Sequence, residues 1–227
     1  MSGFSNKPKI LRGAFVEYGL SVPPLFVVFQ FNPDQLSRSR SLSFSAPNKD
    51  ISGSEDGLRK FHKTNSLLVI QKNQQVTVNE ETISFDLRLD ATDSLDKGET
   101  TGHFGIAPEL AALEMMAHPK EEVGVGAALG SLLRSDDGYS FTKKQNPPMV
   151  LFIWGIKRVL PVNINSLSIS ETEFSTWLNP VRAEISVSLS VIEGKNTPYT
   201  YSKVMQEAMA LLNLSNITKM ANVVIPG

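Results

Sequence analysis

The 227-residue sequence contains no cysteine, which excludes disulfides, thiolate metal sites and cysteine nucleophiles. Neither sign of charge is in excess, because 22 Lys and Arg residues are balanced by 23 Asp and Glu residues, giving a formal net charge of −1. A protein that binds nucleic acid through a basic patch needs a surplus of Lys and Arg on one face to neutralise phosphates. The sequence therefore predicts no nucleic-acid binding of this kind.

Long apolar runs are also missing from the sequence. The longest, at residues 25–29 and 149–154, are far shorter than the roughly twenty residues of a membrane-spanning helix. Residues 1–9 contain two lysines, and no apolar run of signal-peptide length follows them. We therefore expect no transmembrane segment and expect assembly in the cytoplasm.

Residues typical of catalytic and metal sites are few and scattered. The three histidines, His62, His103 and His118, lie in separate segments without the spacing of metal ligands. Residues 124–130 contain three glycines, but their spacing differs from that of a dinucleotide-binding loop and no strand precedes them. No Gly-x-Ser-x-Gly motif and no phosphate-binding loop occurs. The sequence thus predicts no catalytic residues, no cofactor and no metal site.

Alternation of apolar and polar residues predicts half-buried β-strands. At residues 83–89 the apolar side chains recur at every second position, and residues 185–191 repeat this pattern. The polar positions of the second segment are all serines, which either allow close approach of another sheet or subunit or are simple surface residues. Residues rich in Val and Phe predict further strands at 14–18 and 25–31.

The segment 36–44 is a predicted strand with two arginines in an unusual place. Serines alternate with larger residues, and Arg38 and Arg40 occupy the same register as the apolar residues of the strand. Either the middle of this strand faces a lumen or a neighbouring subunit, or it is an edge strand protected by charge. Arg38 and Arg40 are therefore candidate lumen or subunit-interface residues.

Two helices complete the predicted fold. Pro108 begins a helix over 108–117 with Leu110, Leu113 and Ala117 on one face, and Pro198 begins a second, amphipathic helix. The apolar stripe of the second helix is interpreted as core filler rather than a partner groove; it comprises Tyr201, Val204, Met205, Ala208 and Leu212.

Strands followed by a helix, then strands and a helix again, predict an α+β fold that is mainly β. We expect a β domain over 1–197 with a long, insertion-like loop at about 120–148. Residues 198–227 then form the amphipathic helix and an apolar tail. A connector as long as 120–148 tends to be functional or mobile.

Four segments, taken in order along the chain, resemble the tube and baseplate-adaptor proteins of contractile injection systems, which are relatives of phage tails. The first is residues 28–33, Val-Phe-Gln-Phe-Asn-Pro, ending in Phe31, Asn32 and Pro33. The second is residues 85–92, the third is residues 147–155 ending in Trp154 and Gly155, and the fourth is residues 179–183 with Pro180, Val181 and Arg182. Together they make residues 10–193 similar to this family.

Physical chemistry gives these motif residues structural roles. Proline after Asn32 ends strand pairing because it cannot donate a ladder hydrogen bond. Trp154 stands at the end of a buried strand, either as a core residue or as a partner contact, and Gly155 can take a positive φ. Arg182 either braces its own hairpin or bridges to a neighbouring subunit.

Two departures from the family pattern stand out. Leu178 and Asn179 replace the usual Asp-Gly before the Pro-Val-Arg motif. The LysM module that many adaptor relatives carry after the β domain is not expected here, so peptidoglycan binding is not carried over.

The resemblance implies a tail-tube-like fold, either an antiparallel β-barrel or two packed sheets with one or two flanking helices. It also implies a homohexameric ring in the baseplate that connects an inner tube protein to a spike or hub protein, with baseplate wedge or sheath proteins as further neighbours. The ring would be part of a phage tail-like particle and would not be an enzyme. The alternatives are an inner-tube subunit or phage tail tube component of the same superfamily, or a monomeric β-barrel that binds a ligand.

Overall fold

The computed structural model describes residues 11–19, 25–47, 55–92, 104–118 and 148–213. Most of the predicted connector, 120–147, and the apolar tail, 214–227, lie outside these residues. The chain divides into two compact units, which we call the sheet unit (Met1–Ser37 with Ile83–Gly227) and the insert unit (Arg38–Thr82). The predicted boundary between residues 197 and 198 stays a prediction.

The described strands form one seven-stranded and one two-stranded sheet. In chain order the strands are β1 (Ala14–Glu17), β2 (Phe26–Val28), β3 (Leu36–Ser39), β4 (Leu42–Ser45), β5 (Gln75–Val78), β6 (Thr82–Asp90), β7 (Val150–Trp154), β8 (Arg158–Phe174) and β9 (Pro180–Val191). The large sheet has the order β2-β1-β7-β8-β9-β6-β3, and β4 pairs with β5 in the small one. The large sheet is antiparallel and curls into a half-barrel, which confirms the mainly β fold.

Alternation in the sequence sets which face of each long strand is buried. Ile83, Phe85, Leu87 and Leu89 of β6 are buried, while the polar residues between them are exposed. In β9 the residues from Val181 to Val191 alternate in the same way. Because side chains alternate across a strand, the two predicted strands place their apolar residues on one shared face of the sheet.

Four phenylalanines from four strands or strand ends form the centre of the core. Phe15, Phe29, Phe85 and Phe152 are buried, and their ring centroids lie between 5.1 and 6.3 Å apart. Aromatic rings in edge-on or offset contact at such distances add to the free energy gained by burying their area. This cluster joins β1, β6 and β7 to the end of β2.

Four helices are described: α1 (Glu55–Thr64), α2 (Leu67–Asn73), α3 (Ala107–Ala117) and α4 (Thr197–Leu212). As predicted, α3 begins with a proline in its first turn and buries Leu110 and Leu113 in the core. The third buried side chain is Met116 rather than the expected Ala117, which is only half-buried. Within the described residues, no helix combines the length and the apolar character needed to cross a membrane.

The second predicted helix is present as α4, but it is rotated relative to the prediction. Its buried residue is Ser202, whose Oγ accepts a hydrogen bond from Val159 N (2.9 Å) and donates one to Val159 O (2.8 Å). These two bonds tie the helix to the backbone of β8. Tyr201, Val204 and Leu212 of the predicted stripe are exposed, so the interpretation as core filler is wrong for these three residues, whereas Met205 and Ala208 are half-buried.

The predicted strand over 36–44 is divided in two by a break at residues 40 and 41, between β3 and β4. In the insert unit, β4 pairs antiparallel with β5, with Leu42 opposite Val78 and Phe44 opposite Val76. The break includes Arg40, whose guanidinium donates a hydrogen bond to the buried carboxylate of Glu81.

Candidate assembly surfaces

Three of the four resembling segments meet around the end of β6, at Asp90. The side-chain amide of Gln30 forms a pair with the Asp90 backbone, accepting from Asp90 N at 2.6 Å and donating to Asp90 O. Arg182 donates from Nε and Nη2 to Asp90 Oδ2, both at 2.9 Å, and forms a second ion pair with Glu173. Three segments that lie far apart in sequence are thereby joined by one small polar cluster.

Arg182 braces its own hairpin and the neighbouring strand. Glu173 lies on β8 opposite Arg182 on β9, and Asp90 lies on β6 next to β9. One guanidinium therefore links three adjacent strands, for which its planar fork of donors is well suited. The first of the two predicted roles of Arg182 is thus observed, and contact with a neighbouring subunit stays a prediction.

The electrostatics of the cluster favour the ionised carboxylate of Asp90. Hydrogen bonds from the Thr92 hydroxyl and backbone N–H, together with Arg182, lower the pKa of Asp90 to about 2, although burial opposes the shift. The hydrogen bond that Arg182 donates to Asp90 likewise raises the pKa of Arg182. The ionised form of Asp90 is therefore more strongly stabilised in the folded protein than in the unfolded chain.

Asp90 should make the stability of the protein depend on pH between about 4 and 2. Because the folded-state pKa lies below the ordinary aspartate pKa of 3.8, the stabilisation is complete above pH 4 and is lost as the pH falls toward 2. We expect the difference in free energy of unfolding between wild type and Asp90→Asn to shrink by about 2 kcal/mol across this range. Urea unfolding at a series of pH values measures it.

The matched control for this prediction is Thr92→Val, which removes the hydroxyl but retains the carboxylate. We expect it to reduce the pH-dependent difference without abolishing it, because the backbone N–H and Arg182 still favour the ionised form. If the free energy of unfolding changed equally with pH in the wild type and in Asp90→Asn, the cluster would not contribute to the pH dependence of stability.

The side chain of Asn32, in the first motif, forms hydrogen bonds with the backbone before β1 as a neighbouring strand would. Its Oδ1 accepts from Gly13 N and its Nδ2 donates to Leu11 O, both at 2.9 Å. Asn32 thus extends the pairing of β1 beyond the end of β2, and Pro33 follows where pairing stops. Phe31, between Gln30 and Asn32, is largely exposed.

Trp154 ends β7 as the third motif predicts, and Gly155 follows at a φ of +63°. The indole is half-buried and stacks on Phe152 at a centroid distance of 6.0 Å. It also contacts Gly13, where an added Cβ would lie 2.9 Å from the indole and 2.5 Å from the Phe29 ring. Trp154 is therefore packed against the edge of the core, and the positive φ expected for Gly155 is confirmed.

The fourth motif is fixed by the residues that precede α3. Ile106 N donates to Pro180 O at 2.9 Å, and Ala91 N donates to Val181 O at 2.9 Å. Gly105 passes so close to this strand that an added Cβ would lie 2.0 Å from Pro180 O. The start of β9 is therefore held by β6 on one side and by the residues leading into α3 on the other.

Gly105→Ala should destabilise the fold by clearly more than Gly155→Ala. Both glycines have φ near +60°, which costs an L-residue about 1 kcal/mol, but an added Cβ at Gly155 meets nothing within 4 Å. The Gly105 variant must additionally displace the Pro180 backbone and lose the bond from Ile106. Denaturant unfolding of the two variants tests this, and equal losses of stability would contradict the close approach.

Within the insert unit, Arg38 and Arg40 share one carboxylate. Glu81 is buried; its Oε1 pairs with Arg38 Nε, and its Oε2 accepts from Arg40 Nη2 at 3.1 Å. Both guanidiniums stay about one-third exposed. The sequence pattern singles out the two arginines but not Glu81, whose only signal is its place just before β6.

Among the described strands, β2 and β3 are the two outer strands of the large sheet. Glu17 N donates to Leu25 O and Phe29 N donates to Gly13 O, so residues 25, 27 and 29 direct their backbone groups toward β1. By alternation, the backbone groups of Phe26 and Val28 point outward along the edge. Their side chains are 64% and 48% exposed, which leaves an apolar outer strand.

Serines cover the polar face of the sheet between β8 and β9. Ser166 lies opposite Ser188 and Ser168 opposite Ser186, and Ser186 Oγ donates to Asp86 Oδ1 at 2.6 Å. A groove of about 430 Å³ runs over this face and is lined mainly by serines, with Asp86 as its charged residue. A neighbouring groove of about 660 Å³ is bordered by charged residues, among them Asp34, Arg88 and Glu184.

The described residues hold no group of three or more acidic or histidine side chains that could bind a metal. His62 contacts Gln74 and His118 contacts the carbonyl of Glu114, in different parts of the chain. The third histidine, His103, lies outside the described residues. The polar clusters at Asp90 and Glu81 connect neighbouring strands or strand ends through ion pairs, which is a structural role.

Comparison with known families gives one match. The family model of contractile injection system tube proteins matches residues 20–198, which include β2 through β9 and all four resembling segments. No curated protein matches the sequence. Because the match covers most of the chain, the chain belongs to the family of contractile injection system tube proteins, which are structural components.

Proposed function

We propose that this protein forms a hexameric ring in the baseplate of a contractile injection system, where the ring connects the inner tube to the spike hub. The observation that carries the proposal is the open sheet, which has an outer strand at each end of a half-barrel. A curled sheet with two outer strands does not enclose a channel by itself. Strands from further copies, paired to its two edges, would complete the enclosure. Closure by identical copies would remove the edges that otherwise invite aggregation.

Ring closure would join β2 of one copy to β3 of the next. Phe26 and Val28 direct their backbone groups outward from β2, and β3 is the last strand at the opposite end of the sheet. Such a contact is heterologous, since two different surfaces meet, and a heterologous contact closes into a ring when the rotation between copies allows it. The segment from Leu36 to Phe44, including Arg38 and Arg40, would then contribute to the inner wall.

The partners follow from this position in the particle. Besides further copies of itself, the ring would contact an inner tube protein on one side and a spike or hub protein on the other. Baseplate wedge or sheath proteins would lie outside it. Assembly would take place in the cytoplasm before the ring joins a phage tail-like particle.

The second candidate function is an inner-tube subunit that stacks in many rings. The description of the matched family as tube proteins favours it. The two functions differ in copy number, because a baseplate ring occurs once per particle whereas tube subunits occur many times. Quantitative mass spectrometry of purified particles, calibrated against a spike component, separates them.

A third alternative, a monomeric ligand-binding barrel, has less support. The two grooves described above are open and lined mainly by polar residues, and neither resembles an enclosed apolar pocket. Native mass spectrometry and electron micrographs of the purified protein test the ring itself. Six-membered rings support the proposal, and a monodisperse monomer at all concentrations overturns it.

A further inference from the structure

The described residues of the insert unit form no apolar core of their own. Of its described side chains, only Ala46 and Glu81 are buried, and the first of these is small while the second is charged. Larger apolar residues of the unit are exposed instead, including Leu67 and Leu68 on α2. A unit of this size cannot be stabilised by so little buried apolar area.

The apolar side chains of the β4–β5 ribbon share one face. Pairing places Leu42 opposite Val78 and Phe44 opposite Val76, while the other face carries Ser43 opposite Thr77 and Ser45 opposite Gln75. The four apolar residues are each between 46% and 52% exposed. A two-stranded ribbon is marginally stable in water, so this face requires a covering surface.

We propose that a second copy of the chain covers this face with its β2 strand, where Phe26 and Val28 are the exposed apolar side chains. The two surfaces are complementary, because each is an apolar patch carried by strands, and the described residues leave the side chains of each patch about half exposed or more. Bringing them together buries both. The β4–β5 ribbon of one copy then packs against the β2 edge strand of the next copy.

Chain connectivity supports a second copy as the occupant. Leu42 follows the end of β3 at Ser39 by three residues, so it lies within about 11 Å of that strand end. The inference rests on the proposed function at this point: where β3 meets β2 of the next copy, the ribbon necessarily begins beside that same strand. One lateral contact would then pair the strand edges and bury the ribbon face.

The geometry also favours unlike surfaces over like ones. A ribbon-to-ribbon contact with twofold symmetry would stop at two copies and leave both β2 strands uncovered. The contact between ribbon and β2 covers both surfaces of every copy and continues around a ring. It is therefore the arrangement compatible with a tube or ring protein.

The absence of cysteine provides a direct test. Two full-length single variants, Phe44→Cys and Phe26→Cys, are assembled together, one of them carrying a mass tag, and treated with a short thiol-reactive crosslinker. Every mixed product is necessarily intermolecular. We expect the mixed dimer to dominate, with at least a tenfold lower yield when Ser43→Cys, on the opposite face of the ribbon, replaces Phe44→Cys.

A second pair tests ring closure separately. Val28→Cys assembled with Ser37→Cys reports whether β2 and β3 meet between copies. If this pair crosslinks and the Phe44 pair does not, the proposed ring stands and the ribbon inference is overturned. Crosslinking of Phe44→Cys with itself, or equal yields from Phe44→Cys and Ser43→Cys, would also overturn it. If neither pair crosslinks, the ring proposal and the inference both fail.

Discussion

Replacing Val28 by proline should abolish ring assembly while the sheet unit still folds. The backbone of Val28 points away from β1, so proline removes a donor from the open edge without removing a hydrogen bond between β1 and β2. Assembly that depends on pairing at this edge loses a ladder bond in every interface of the ring. We expect the proportion of protein in rings, measured by size-exclusion chromatography with light scattering, to fall at least tenfold.

Val28→Thr is the matched control for the proline variant. Threonine is β-branched, favours strands and retains the backbone N–H, so rings should form nearly as in the wild type. The far-ultraviolet circular dichroism of both variants should match that of the wild type, which separates an assembly defect from unfolding. Rings of normal yield from a folded Val28→Pro protein would contradict closure through β2.

Phe152→Ala should cause the largest loss of stability in the sheet unit. Phe152 is fully buried on β7, and its ring lies 5.8 Å from Phe15, 5.3 Å from Phe85 and 6.0 Å from Trp154 between centroids. Truncation removes the apolar area and leaves a cavity that strands on both sides cannot fill. We expect the free energy of unfolding to fall by about 3–5 kcal/mol.

Phe152→Leu provides the comparison. Leucine fills most of the space but lacks the ring contacts, so the loss should be less than half that of the alanine variant. Chemical denaturation followed by circular dichroism is the suitable measurement, because Trp154 stacks on Phe152 and its fluorescence would change for local reasons. Equal losses for the two variants would indicate that cavity volume is not the dominant cost.

The motif segments shared with the tube family are largely devices for joining strands. Gln30 and Arg182 are hydrogen-bonded to Asp90, Asn32 to Gly13 just before β1, and Pro180 to Ile106 just before α3. These contacts connect residues as far apart in sequence as Asp90 and Arg182. They hold the strands of the sheet together near their ends.

The fold class could be predicted from the sequence because alternation is a local property. Burial at every second residue of β6 and β9 follows from side chains alternating across a strand, and the proline in the first turn of α3 acts within one turn. The positive φ of Gly155 was likewise predictable, since it depends on the residue and the turn it occupies.

Tertiary structure alone decided the contacts that depend on distant partners. The rotation of α4 is set by Ser202 bonding to β8, which no helical periodicity reveals, and the strand over 36–44 is broken where Arg40 reaches a carboxylate forty-one residues away. Residue 105 must be glycine because the backbone of Pro180 lies where a Cβ atom would be. Sequence patterns fix which face of an element is apolar, whereas the surface that covers it is determined only when the chain, or a second copy of it, is in place.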